Sequence, residues 1–221
     1  FCFILLFSCG NSDLTFKTKG DLSGIVTNAA NGAVISGVTV TNSLDGEVQT
    51  TNGSGEYSFT NLSPGTHTFS FSATNYTSQA PSFTIESSAT ANGNLSLLNS
   101  TLSTNKIAIV LTWGSVPQDL DSHLYVPTGV STTVEIKHRN TGDISSSPFA
   151  QLDVDDTSSN GPETTTIKYE SGSTSFPRTY RYFVRNYDKV DNDTTADFKD
   201  SDGTVRVYKD GTLSNTFTAS K

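Results

Sequence analysis

Short apolar runs alternate with polar residues along almost the whole chain, and turn formers separate them at regular intervals. The first predicted strands are Leu22–Thr27, Val38–Asn42 and Val48–Thr51, followed by the alternating pairs Tyr57/Phe59, Phe69/Phe71 and Phe83/Ile85. Asn31-Gly32, Asp45-Gly46 and Ser63-Pro64-Gly65 punctuate them as turns. The pattern resumes at Lys106–Thr112, which is nearly all apolar and therefore predicted as a central strand buried on both faces. Val134–Lys137, Thr164–Tyr169, Tyr180–Tyr187 and Val205–Tyr208 follow, and Asp210-Gly211 turns the chain into Leu213–Phe217. No helical period of useful length appears. The pattern predicts an all-β protein made of two antiparallel β-sandwich domains in tandem, residues 21–100 and 106–221. The boundary falls near residues 99–105, and Leu95, Leu97 and Leu98 complete the first core.

Two acidic segments stand out against this background. Asp153, Asp155 and Asp156 fall within four residues beside the turn formers Gly161-Pro162, and Asp119-Leu120-Asp121-Ser122-His123 lies earlier in the chain. Side chains alternate between the faces of a strand, so Asp119, Asp121 and His123 are expected on one face, and Asp153 likewise shares a face with Asp155. Crowded carboxylates repel one another unless a cation or hydrogen-bond donors compensate. Asp119, Asp121, His123, Asp153, Asp155 and Asp156 are the candidate metal ligands, with Glu163 as a further oxygen donor. Calcium is the expected ion, because it takes six to eight oxygens, whereas His123 suits a transition metal better. The alternative is a network of capped turns paired with Arg178, Arg181 or Arg185. A third stretch, Asp188–Asp202, lacks the Gly and closing Glu of an EF-hand loop and is read as a solvated loop.

Composition narrows the functional classes. The chain has 221 residues, a net charge of −8 and no Met. The missing initiator is expected of a sequence trimmed at its start. Residues 21–100 carry no Lys or Arg, so phosphate neutralisation and hence nucleic-acid binding are excluded as expectations. The two cysteines, Cys2 and Cys9, precede the strands, which removes disulfide, zinc-finger and Cys-nucleophile chemistry from the folded part. His67 is expected to point to solvent and is given no role. Trp113 is expected to cover one end of the second core, with a sugar-stacking platform as the alternative. Asp121, Ser122 and His123 superficially spell a hydrolase triad, but neighbours in a strand point to opposite faces, so His123 does not reach Ser122.

The first seven residues are apolar and too few to span a bilayer. Residues 1–8 read as the end of a signal peptide and residues 9–20 as a polar tether. Leu6 three positions before Cys9, with Ser8 directly before it, resembles the lipobox of bacterial lipoproteins. The resemblance implies cleavage between Ser8 and Cys9 and a lipid on the Cys9 sulfur. An ordinary secretory signal that happens to contain Cys is the alternative.

Two further resemblances concern the folded part. Gly24-Ile25-Val26, Gly37-Val38-Thr39-Val40, Thr51 to Phe59 with its Gly-x-Tyr-x-Phe element, Leu62-Ser63-Pro64-Gly65 and Asn75-Tyr76 resemble the carboxypeptidase regulatory-like family. That resemblance implies a transthyretin-like sandwich acting as a non-catalytic spacer, stalk or adhesion module. Leu111-Thr112-Trp113-Gly114, Pro117 to Leu124, Leu152 to Thr164 and Tyr182 to Tyr187 resemble the YfaP-type family of secreted bacterial domains, which implies a fold and a location but no reaction. Ser159-Asn160 stands where that family more usually has a Gly and an aromatic residue. The expected function is a surface-anchored bacterial lipoprotein of the cell envelope, acting as a cation-stabilised, non-catalytic binding or structural module. A carbohydrate-binding accessory module and a metal-dependent hydrolase are the alternatives. Expected partners are the membrane through Cys9, and a polysaccharide or another surface protein.

Overall fold

The computed structural model describes residues 18–100, 104–129, 131–169, 179–187 and 198–219. Cys2, Cys9, Arg178 and Asp191-Asn192-Asp193 lie outside them. The first sandwich is built from β1 (Gly20–Asn28), β2 (Thr39–Asn42), β3 (Val48–Thr50), β4 (Glu56–Leu62), β5 (Gly65–Ser72), β6 (Ser82–Ile85), β7 (Thr90–Asn92) and β8 (Leu95–Leu97). One sheet runs β4-β1-β7 with β8 also paired to β1, and the other runs β3-β2-β5-β6. The pairing is not antiparallel throughout: β7 and β8 both join β1 in parallel, because the chain crosses over from β6 before returning to that edge.

The core of this sandwich follows from alternation. Tyr57, Phe59 and Leu62 on β4 and Phe69 and Phe71 on β5 all point inward, where Leu22, Val26, Val40 and Ile85 meet them. His67 is two residues from Phe69 and therefore shares its inward face. It is buried, and its Nε2 lies 2.7 Å from the Ser63 carbonyl, which corrects the expectation that it meets solvent.

The second sandwich contains β9 (Lys106–Thr112), β10 (Leu120–Pro127), β11 (Thr133–Ile136), β12 (Gly142–Asp143), β13 (Ala150–Val154), β14 (Glu163–Lys168), β15 (Arg181–Asn186), β16 (Thr204–Lys209) and β17 (Thr212–Thr218). Its sheets are β11-β10-β15 and β12-β13-β14-β9-β16-β17. Ile109 and Leu111 of β9 face the core between them, together with Leu120, Leu124, Val126, Leu152 and Ile167. Trp113 caps that core; it is 1% exposed and its Nε1–H donates to the Pro117 carbonyl at 3.1 Å, so it is no platform for a sugar.

The other face of β9 explains why its sequence is apolar without interruption. Ala108 and Val110, with Tyr208 of β16, pack on Ala29 and Leu98 of the first sandwich. The two domains are thus joined by a small apolar patch. Asn94 adds to it: its Nδ2–H donates to Asn160 Oδ1 at 2.8 Å. Among the described residues no helix is long and apolar enough to cross a membrane.

Candidate metal centre

Strand β10 carries the first acidic segment, and its neighbours decide what that segment meets. β15 pairs with β10 from Leu120 to Tyr125, whereas β11 reaches only as far as Leu124. The start of β10 is therefore open on one side. Glu163, the first residue of β14, faces the space between the sheets and fills that opening, and the Ser122 N–H donates to its Oε2 at 2.6 Å. Asp119, Asp121 and Glu163 converge here, each with a carboxylate oxygen within 4.8 Å of the other two, and all three residues are buried.

Glu163 is 0% exposed, and burial pushes its carboxyl up to about 9 despite the Ser122 donors. Among the described residues its Oε1 meets no donor, and the neighbouring acids, Asp155 and then Asp121, push in the same direction as burial. Burial also raises Asp121, opposed by His138 and His123 and reinforced by Asp155. Nothing in the sequence pattern marks His138. Its Nδ1 lies 3.0 Å from Asp121 Oδ1, and its ring stands edge-on to Tyr187 at 5.3 Å. A histidine next to Lys137 and Arg139 carries no signal of its own in a sequence. It reaches Asp121 because the chain turns back at the Lys137–Asn140 bridge just beyond β11.

The structure sorts the remaining candidates. Asp155 is exposed and stands at the mouth of the cluster. His123 shares the face of Asp121, but its Nδ1 sits 2.8 Å from Glu135 Oε1, which also accepts from the Tyr125 hydroxyl. Lys137 holds the other oxygen of Glu135 at 2.6 Å, and these partners, Lys137 first and then His123, hold Glu135 down to about 2. Asp156 caps a turn by accepting from the Ser158 N–H and hydroxyl, both at 2.7 Å. Asp153 accepts from the Thr166 hydroxyl.

Asp153 and Asp155 do not share a face, contrary to simple alternation. A β-bulge between Leu152 and Val154 puts Val154 opposite Thr164, where Asp153 would otherwise stand. The extra residue shifts everything after it by one position, and the next residue, Asp155, arrives beside Glu163. Ser122 faces the core, with Oγ 3.4 Å from Thr165 Oγ1, while His123 faces out, so the apparent triad is not assembled.

Residues 21–98 match the carboxypeptidase regulatory-like domain family. This part of the chain is a carboxypeptidase regulatory-like domain. The match ends at Leu98, the residue that passes from the first core to the interdomain patch. No curated protein matches the chain. Among solved structures, the TIE protein of Bacillus anthracis is 15% identical over 82% of this chain, with a TM-score of 0.33. This chain spans only 31% of that protein's length. The major pilin subunit of Bacillus cereus is 9% identical over 92% of this chain and 68% of its own, with a TM-score of 0.33. The major pilin SpaD of Corynebacterium diphtheriae is 12% identical over 93% and 66%, with a TM-score of 0.30. Scores this low assign no function.

Proposed function

We propose that this chain is a non-catalytic binding or structural module of the bacterial cell envelope, in which a carboxypeptidase regulatory-like domain carries a second sandwich steadied by calcium. The observation that carries the cation is the convergence of Asp119, Asp121 and Glu163 within 4.8 Å at a buried position. An all-carboxylate set favours a hard cation. Asp119, Asp121 and Glu163 would hold it, Asp155 would close the solvent side, and His138 would orient the Asp121 carboxylate. The ion supplies the positive charge that a buried glutamate otherwise replaces with a proton. The Phe1–Cys9 segment supports an envelope location with a lipid at Cys9.

The test of the cation is thermal unfolding of the whole chain in calcium and in chelator. A ligand that binds only the folded state stabilises it by RT ln(1 + [L]/Kd), about 2.7 kcal/mol at a hundredfold excess. An identical melting temperature in both conditions sinks the calcium reading. The anchor is tested separately, by replacing Cys9 with Ser in the full-length gene product. Loss of detergent partitioning is expected, and retention of it rules the lipid out.

A second reading, carbohydrate binding, has its own observation. Phe183 on β15 and Tyr187 just past its end are 49% and 48% exposed, and Tyr125 meets Phe183 edge-on at 5.6 Å. Exposed rings of this kind stack on sugars. Replacing both with Ala is expected to abolish retention on a polysaccharide column if this face binds.

A further inference from the structure

A cleft of about 700 Å³ lies between the two sandwiches. One wall is the outer face of β16 and β17, and the other comes from the stretch between Gln79 and Asn94. Arg206 sits on the β16 wall and is only 5% exposed, yet among the described residues no carboxylate pairs with it. The ionisable groups nearest it are the hydroxyls of Tyr208 and Tyr57, which burial holds in the neutral form. Taking a guanidinium out of water without a counter-charge is costly, so buried arginines are found paired. Among the described residues the opposite wall brings no buried carboxylate, because its acid at the cleft, Glu86, is exposed. Asp202, the other acid of the lining, is exposed as well. Among the described residues Arg206 is thus the single cation lining the cleft, a space large enough for a ligand.

The rest of the lining indicates what kind of ligand. Asn92 and Thr204 present an uncharged amide and a hydroxyl, and Phe83 presents the edge of a half-buried ring. Amides and hydroxyls match the hydroxyl groups of a sugar, a ring face matches its C–H surface, and the planar fork of a guanidinium matches a carboxylate with two parallel hydrogen bonds. We propose that the cleft between the sandwiches binds an acidic saccharide, with Arg206 holding the carboxylate of a uronic acid. The site lies on the opposite face of the six-stranded sheet from Glu163, and it stands whether or not calcium binds there.

The experiment is calorimetric titration of the whole chain with galacturonate and its dimer, with galactose as the uncharged counterpart. Galacturonate is expected to bind at least about tenfold more tightly than galactose, the size of one charge-assisted hydrogen bond. Arg206→Gln is expected to remove that preference. Because an altered buried residue can disturb folding, Thr216→Glu provides a second handle. Thr216 is exposed on β17 and directly opposite Arg206 in the strand pairing, so a carboxylate there supplies an internal partner. This variant is expected to keep or raise the melting temperature and to lose galacturonate binding. Equal affinity for galactose and galacturonate, or unchanged galacturonate affinity in either variant, overturns the proposal. Binding of an acetylated dipeptide carboxylate in place of galacturonate overturns its saccharide part.

Discussion

At the scale of single residues, the chemistry of this protein centres on Glu163. Its folded-state value of about 9 lies far above the ordinary carboxyl value, so the folded apo chain holds a proton that the unfolded chain releases. The stabilisation is complete below the ordinary carboxyl range and is lost as pH rises through about 9. Apo stability is therefore expected to fall steadily between mildly acidic and mildly alkaline pH in denaturant titrations. Calcium must displace the same proton, so its affinity is expected to climb with pH over this window by up to about tenfold per unit. A calcium affinity independent of pH would show that Glu163 is not a ligand. Glu163→Gln keeps the shape and accepts the Ser122 N–H, so the apo melting temperature is expected to change little while the calcium response disappears. His123 shows how position overrides residue type: two residues from Asp121, it is drawn away by Glu135.

At the scale of elements, small irregularities build the site. The bulge in β13 brings Asp155 to Glu163, and the early end of β11 opens the edge of β10 that Glu163 enters. The turn before β14 fixes where Glu163 begins. Ser159, Asn160 and Gly161 have φ of 84°, 73° and 75°, three successive residues in the left-handed region. Only glycine tolerates this freely, and at Gly161 space forbids anything else: a Cβ would lie 2.8 Å from Trp113 Cζ3 and 2.9 Å from the Leu111 carbonyl. Gly161→Ala is expected to destabilise the chain by about 2–3 kcal/mol and to weaken the calcium response, read by chemical denaturation in calcium and in chelator. Full stability in this variant would mean that the turn relaxes without moving Trp113.

At the scale of the whole molecule, the interdomain patch makes the two sandwiches interdependent. Val110 is 1% exposed and packs against the first sandwich rather than into its own core. Val110→Glu places an unpaired carboxyl in that patch at a cost of about 3 kcal/mol. Calorimetry is expected to show one transition for the parent chain and two for this variant. The fragment 21–98 is expected to unfold cooperatively by itself, because its main core uses only its own residues. It should melt below the intact chain, since Ala29 and Leu98 lose their cover.

The amino-acid sequence by itself determined the all-β class, most strand positions, the carboxypeptidase regulatory-like domain and the acidic residues worth watching. These are legible because alternation, turn formers and short motifs are local, and a strand's period of two needs only its own neighbours. The tertiary structure alone decided which acids meet. Asp119 and Asp121 join Glu163 across two sheets, and His138 joins them from beyond β11. Asp153 and Asp156 turn to their own hydroxyl partners. A one-residue bulge reverses the face of every side chain after it, and nothing in the run from Leu152 to Asp156 announces where it falls. The burial of Arg206 belongs to the same class of fact, because it depends on how one domain docks on the other.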